Sequence, residues 1–243
     1  MIAVPYEKQD PTGWWMSEKL DGFRAWWTGE DFVSREGNCF QCPDAIRGEM
    51  PECELDGELW AGRGNFQYVQ SVVTKNFGTE SEWGPITYMV IDNPNSTFTQ
   101  FGLLEGRIME SDYVKVIPQQ QCRGRSHLDD FFRSITLAEG EGVVLRAADS
   151  DYVAGITDTL LKLKPERFGR GVIVGKKLRD GSDTIMASLM LRWGNIVFSV
   201  GGGFSDAERL LTVPVGKAMD FQFQFLSDAG IPKCAQKVGR YGI

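Results

Sequence analysis

The chain reads mainly as strands. Apolar and polar residues alternate over short runs, and stretches with the 3.6-residue spacing of an amphipathic helix are few. Trp14, Trp15, Phe23, Trp26 and Trp27 favour strands on both sides of Glu18-Lys-Leu-Asp-Gly-Phe-Arg24, which puts Lys19 at the end of one strand or between two. Residues 32–38 predict a short strand running into a turn. Residues 54–60 alternate acid and apolar, so Glu54, Asp56 and Glu58 would share one strand face and Leu55 and Leu59 the other. Residues 86–92 predict a buried strand stopped by Asn93-Pro94, and residues 113–117 one that ends at Pro118. Residues 140–146 predict a strand entered through glycines, with Glu141 at its mouth. Residues 159–164 alternate strictly, with Lys162 and Lys164 on one face and Leu161 and Leu163 on the other. Helices are expected over residues 66–74, 101–109 and 126–134, the last with Ser126 as its N-cap. Gly62-Arg-Gly-Asn-Phe66 is a glycine-rich loop without the Gly-Lys-Ser/Thr ending of a phosphate-binding P-loop.

The texture changes after Pro165. Residues 171–177, 184–193, 196–200 and 219–226 predict strands, separated by turns at Asp180-Gly181, Gly194-Asn195 and Gly201-Gly202-Gly203. Residues 204–211 predict one helix with Ser205 as N-cap. A small, closed, mostly antiparallel barrel with one helix fits this tally, and the OB-fold is the candidate.

Charge marks the same division. Residues 1–164 hold 15 basic and 26 acidic side chains, a net of −11, and residues 165–243 hold 11 and 7, a net of +4. An acidic front and a basic back suggest two domains with different partners. A chain of 243 residues with 42% apolar and 24% charged residues is an ordinary globular one. No apolar run approaches the ~18 residues of a membrane span, and the amino-terminal residues lack the pattern of a signal peptide. A cytoplasmic monomer without membrane contact is expected, or a periplasmic one if the chain is trimmed. The five cysteines are scattered, and only Cys39-x-x-Cys42 has metal-ligand spacing. Ordinary reduced thiols are the better reading, and a single histidine, His127, argues against a histidine triad or a multi-histidine metal site.

The candidate chemistry starts at Lys19. Asp21-Gly22 favours a tight turn, and a lysine held before it can be aimed into a pocket with Arg24 pointing back to the same place. A lysine becomes a nucleophile only when burial or neighbouring cations depress its pKa, and Lys162 and Lys164 are the cations on offer. The plain alternative for Lys19-x-Asp-Gly-x-Arg24 is a solvated hairpin turn, and for the paired lysines it is protection of a sheet edge. Three acids on one face of residues 54–60 call for a cation or a basic partner. Lys162, Lys164, Arg167, Arg170, Lys176, Lys177 and Arg179 put seven cations in 18 residues, either a solvated run or a nucleic-acid contact.

Taken in order, Lys19-x-Asp-Gly-x-Arg24, Ser34-Arg35-x-Gly37, Asp56-Gly57-Glu58, Glu141-Gly-Val-Val-Leu-Arg146 and Lys162-x-Lys164 resemble the motifs of the covalent nucleotidyltransferases: DNA ligases, RNA ligases and mRNA capping enzymes. The basic tail is similar to the OB domain that follows in ligases and capping enzymes. Ser17-Glu-Lys-Leu-Asp-Gly-Phe-Arg24, Leu55-Asp-Gly-Glu-Leu-Trp-Ala-Gly-Arg-Gly64, Tyr88-Met-Val-Ile-Asp-Asn-Pro94 and Gly203-Phe-Ser-Asp-Ala-Glu-Arg209 resemble the minimal, two-domain, ATP-dependent DNA ligases of bacteria, the E type. The resemblance implies an α+β chain. Residues 1–165 would be a nucleotidyltransferase (adenylation) domain of antiparallel sheets and flanking helices, and residues 166–243 a small β-barrel OB-fold domain that binds DNA.

The resemblance also implies a reaction: Lys19 takes AMP from ATP, passes it to the 5′-phosphate of a nick in duplex DNA, and the 3′-OH then expels it. Lys162 and Lys164 would neutralise the α-phosphate, and Glu58 and Glu141 would hold Mg²⁺, with Mn²⁺ as a substitute. Glu18, Arg24, Arg35, Glu58 and Ile91 join the nucleotide site. Arg35 also belongs to the DNA contacts, together with Arg167, Arg170, Lys176 and Lys177. Arg146 would support Glu141, and Lys233, Lys237 and Arg240 would orient pyrophosphate. Two departures stand out: the family's aromatic ring beside adenine is here Ile91, and the export signal of many E-type relatives is not found. An RNA ligase or a capping-type guanylyltransferase shares the first step, and a non-catalytic OB-fold binder is the reading from another class.

Overall fold

The computed structural model describes residues 1–75, 78–95, 108–227 and 229–239. The chain forms two compact units, Met1–Lys164 and Pro165–Ile243. The first runs β1 (Ile2–Pro5), β2 (Trp15–Glu18), β3 (Phe23–Trp27), β4 (Phe32–Val33), β5 (Cys39–Phe40), α1 (Asp44–Arg47), β6 (Leu55–Trp60), α2 (Phe66–Val73), α3 (Glu80–Trp83), β7 (Thr87–Asp92), β8 (Val114–Val116), β9 (Gln119–Gln121), α4 (Arg125–Leu137), β10 (Val143–Arg146) and β11 (Ile156–Leu163). The helix expected over 101–109 falls largely outside the described residues.

These strands make two sheets, in the orders β1-β11-β10-β2-β9 and β5-β4-β3-β6-β7-β8. The expectation of antiparallel sheets holds for most pairs, but β1 runs parallel to β11 and β7 parallel to β8. Both parallel pairs are closed by long connections, which local alternation cannot reveal. The turn between β2 and β3 carries the chain from one sheet to the other, and Lys19 is its first residue.

Each sheet buries one apolar layer. Trp27, Phe32, Tyr88 and Trp83 fill the six-stranded side with the valines of α2. Phe32 lies 5.0 Å, ring to ring, from both Trp27 and Tyr88, spacings at which aromatic pairs attract. Met16, Leu145 and Leu161 pack with Leu128 and Ile135 of α4 on the five-stranded side. Leu20, Met89 and Ile117 make a small third cluster with Trp60 and Ile91. Helix α4 does not start on Ser126. Its N-cap is Gly124, and the His127 ring turns back to accept from the Arg123 N–H at 3.1 Å, a capping partner that the usual Ser/Thr/Asx signal does not announce. Among the described residues no helix is long and apolar enough to cross a membrane.

The second unit contains β12 (Arg167–Leu178), β13 (Met186–Trp193), β14 (Ile196–Val200), α5 (Asp206–Arg209), β15 (Ala218–Phe223), β16 (Phe225–Leu226), β17 (Pro232–Lys233) and β18 (Gln236–Lys237). Ser205 caps α5 in a reciprocal capping box with Glu208, as its spacing suggests. The sheet of the expected barrel runs β14-β13-β12-β15-β18, with β16 and β17 as a separate hairpin. Its ends meet at one bridge, Gly202 to Gln236, because β14 stops at the triple glycine and β18 is two residues long. Phe198, Phe221, Leu189 and Leu191 fill its core.

Asp92 and Arg146 join the two sheets of the first unit by a buried ion pair, and the Arg146 guanidinium also donates to the Ser150 hydroxyl and carbonyl. Burial pushes the Asp92 carboxyl up, against the pull of Arg146. Arg146→Ala should therefore lower stability by about 3–5 kcal/mol, read as a lower urea midpoint. An unchanged midpoint would show that the pair does not hold the sheets.

Candidate active site

A cavity of about 470 Å³ opens between the sheets of the first unit. Glu18, Lys19, Arg24, Arg35, Glu58, Ile91, Lys162 and Lys164 all line it. Glu141 does not, but it holds two of the lysines that do: Lys19 Nζ lies 2.6 Å from Glu141 Oε2, and Lys164 Nζ 2.5 Å from Glu141 Oε1. Two ammonium groups share one carboxylate.

Close backbone approach produces this convergence. The Lys19 N–H donates to the Gly142 carbonyl at 2.8 Å, tying the end of β2 to the mouth of β10. A Cβ on Gly142 would stand 2.1 Å from the Leu163 carbonyl oxygen, between Lys162 and Lys164, so only glycine fits there. Gly22, two residues after Leu20 in the same turn, meets β6 in the same way: its Cβ would lie 2.7 Å from Glu58 Cγ.

Arg24 faces Glu58 across the β3–β6 ladder but turns diagonally to Asp56, which it grips with two bonds of 2.7 and 2.6 Å. The Tyr152 hydroxyl donates to the same carboxylate at 2.8 Å. Burial opposes the charge on Arg24, and Asp56 more than restores it, so its pKa is raised. Glu58 keeps no such partner: burial, with Glu141 adding to it, pushes its carboxyl up to about 7 against Arg24 and Lys19. Burial also raises Asp21, helped by Glu141. Burial lowers the Lys162 amine, and Lys164 and Lys19 push it the same way. Arg35 is exposed on the turn after β4, near enough to add to that push.

The apolar part of the lining is aliphatic and mixed: Ile91, Ile117, Val144 and Leu160, with Phe66 from the start of α2. Ile117 and Leu160 carry no motif of their own, and only the fold reveals them. Arg146 pairs with Asp92. Lys237 is spent within the second unit, on Glu208 at 2.9 Å and the Gly239 carbonyl at 2.6 Å. Lys233 is in β17, and Arg240 lies outside the described residues. Arg167, Arg170, Lys176 and Lys177 are all exposed on β12, with Arg170 3.3 Å from Asp220. Cys39 is exposed, Cys42 is buried, and all five cysteines are free.

Glu58 suits a hard divalent cation, since a buried carboxylate whose pKa has risen lacks a counter-charge, and Glu141 offers a second carboxylate that Lys19 and Lys164 already hold. Among the described residues no three His, Cys, Asp or Glu side chains cluster as a cage. A cation there would draw its other ligands from water or from a bound phosphate.

Known proteins are similar to this chain in sequence and fold. Residues 182–240 match the DNA ligase OB-like domain. A DNA ligase of Haemophilus influenzae is 28% identical over 241 residues, 97% of this chain and 89% of that protein. A structure from a structure–function study of Lig E DNA ligases, concerned with DNA binding by a minimal scaffold, superposes with a TM-score of 0.90 at 27% identity, over 98% of this chain and 96% of that one. The Chlorella virus DNA ligase-adenylate shares the fold, with a TM-score of 0.58 at 19% identity over 100% of this chain and 98% of that one. In fold the chain is similar to the Lig E DNA ligases, with a nucleotidyltransferase-type first unit and an OB-like second unit. The resemblance to the minimal E-type DNA ligases carried by the motifs extends over nearly the whole chain and into three dimensions.

The free protein should show the burial of Glu58 directly. Between pH 4.5 and about 7 the unfolded chain has released this proton and the folded one keeps it, so stability falls as pH rises through that window. In chelator-treated protein, Glu58→Gln should match the wild type near pH 4 and exceed it by about 1–3 kcal/mol at pH 8. Equal pH profiles for the two proteins in urea unfolding would contradict this.

Proposed function

We propose that this chain is an ATP-dependent DNA ligase that seals 5′-phosphate/3′-OH nicks in duplex DNA through a lysyl-AMP intermediate. A DNA ligase function has the support of the similar proteins, and the RNA ligase and capping readings do not. The observation that carries the finer reading is the meeting of Lys19, Lys162 and Lys164 at one cavity, with Glu141 between two of them. A non-catalytic binder has no use for that cluster.

Phosphoryl transfer asks for positioning and charge neutralisation. Lys19 Nζ attacks the α-phosphorus of ATP, forming a P–N bond as pyrophosphate leaves. The nick 5′-phosphate then displaces Lys19 from phosphorus, and the 3′-OH finally displaces AMP. Lys162, whose pKa is lowered by burial first and then by Lys164 and Lys19, and Lys164 neutralise the α-phosphate oxygens. Arg24 and Glu58 reach the ribose, Glu18 and Ile91 border the nucleotide, and Arg35 contacts the 5′-phosphate side of the nick. Glu58 and Glu141 would hold Mg²⁺, or Mn²⁺ in its place, which supplies further charge neutralisation when bound. An aliphatic Ile91 covers a base without π-stacking, so base selectivity rests on other contacts.

In this reading the first unit is the adenylation domain and the second the DNA-binding domain, with Arg167, Arg170, Lys176 and Lys177 on phosphates. The enzyme acts as a cytoplasmic monomer, a location that five free thiols suit.

The test is sealing of a 5′-phosphorylated nicked duplex with ATP and Mg²⁺, beside NAD, GTP and an all-RNA nick. DNA sealing with ATP alone is expected. Lys19→Ala should abolish label transfer from α-³²P-ATP, and Lys162→Ala should slow that transfer more than it weakens DNA binding. Retained labelling in Lys19→Ala would remove the nucleophile, and labelling by GTP alone would make the chain a guanylyltransferase. For the second unit, Lys176→Ala with Lys177→Ala should weaken DNA binding on every sequence alike and lower the salt slope by about 2. An unchanged slope would take β12 out of the interface.

A further inference from the structure

The glycine-rich loop after β6 carries one side chain that the reaction above does not use. Arg63 reaches across to Glu18, the residue before Lys19, and forms a two-pronged ion pair: Nε to Oε1 and Nη2 to Oε2, both 2.7 Å. Its remaining prong, Nη1, donates to the Ala138 carbonyl at 3.1 Å. Ala138 is the C-cap of α4, three residues before Glu141. Arg63 itself follows Glu58 by five residues. One guanidinium thus ties together the three chain segments that carry Lys19, Glu141 and Glu58.

The surroundings make this a built contact rather than a loose surface pair. Gly62 and Gly64 flank Arg63 with φ of +88° and +76°, a crank that a side chain at either place would strain. The Asn65 amide closes the loop on the Ala61 carbonyl at 2.7 Å. A Cβ on Gly140 would lie 2.9 Å from Glu18 Oε1, so the carboxylate is packed between Arg63 and the backbone leading to Glu141. The side chains of Arg63 and Glu18 are 34% and 19% exposed. The Ala138 carbonyl belongs to the last turn of α4, where helix carbonyls have no partner within the helix. A planar fork fixes direction as well as distance, which an ammonium cannot do.

We propose that Arg63 is a positioning residue for nucleotidyl transfer, a strap that sets Lys19, Glu141 and Glu58 in mutual register without touching the nucleotide. The proposal rests on the ligase reading and specifies how its site is held. Because small displacements of a reacting group cost far more rate than binding, the strap acts on the chemical step.

The test is single-turnover formation of the labelled enzyme from α-³²P-ATP and Mg²⁺, over a range of ATP concentrations. The proteins are wild type, Arg63→Ala and Arg63→Lys. Arg63→Ala should lower the maximal rate roughly ten- to hundred-fold and leave the half-saturating ATP concentration little changed. Arg63→Lys should recover only a small part, because it lacks the fork. Labelling of Arg63→Ala at the wild-type rate would overturn the proposal, as would a rise in half-saturating ATP with an unchanged maximal rate. Should Arg63→Ala fail to fold, a folded Arg63→Lys at the full wild-type rate would overturn it equally. Absence of label on the wild type itself would instead reject the ligase reading.

Discussion

One carboxylate makes this site possible. Lys19, Lys162 and Lys164 come from opposite ends of the first unit and would repel one another in a shared cavity. Glu141 takes Lys19 on one oxygen and Lys164 on the other, within 2.6 Å, and leaves Lys162 as the lysine whose charge burial and neighbours disfavour. The backbone reinforces the same join, through the Lys19 N–H on the Gly142 carbonyl and the close pass of Gly142 over Leu163. Side-chain electrostatics and main-chain packing therefore specify one arrangement, which is the consistency expected of a preorganised site.

The net charge of the first unit conceals this. Its excess of acid is partly spent on anchoring individual cations: Asp56 on Arg24, Glu141 on two lysines, Glu18 on Arg63 and Asp92 on Arg146. Bidentate carboxylates orient guanidinium groups without neutralising their use. An acidic chain can in this way present a basic cavity, and net charge alone is a poor guide to what the cavity accepts.

Much of this was legible in the sequence because it depends on short-range rules. Alternation placed Lys162 and Lys164 on one strand face, Asp21-Gly22 announced the turn after Lys19, and Ser205 with Glu208 spelled the cap of α5. What remained hidden depends on distant partners. The parallel pairing of β1 with β11 joins residues more than 150 positions apart. The diagonal grip of Arg24 on Asp56 needs the β3–β6 register, which pairs Arg24 with Glu58 and Trp26 with Asp56. The bridge that joins the edges of the second unit's sheet links Gly202 to Gln236, 34 positions on. Arg63 sat in view within a motif and a glycine-rich loop that gave it no role, because its meaning comes from Glu18 and Ala138, 45 and 75 residues away.

The same pairs imply that the ligand-free cavity is a compensated state. On the ligase reading, Lys19 must give up its pair with Glu141 before its amine can attack phosphorus, since a nucleophile needs its lone pair. Phosphate oxygens arriving at Lys162 and Lys164 bring the negative charge that Glu141 supplies to Lys164 in the empty site. That exchange frees a carboxylate beside Glu58, where burial already favours a bound cation over a bare charge. Nucleotide and divalent ion would then be linked through Glu141: each makes room for the other by taking over part of the charge balance that this one residue maintains.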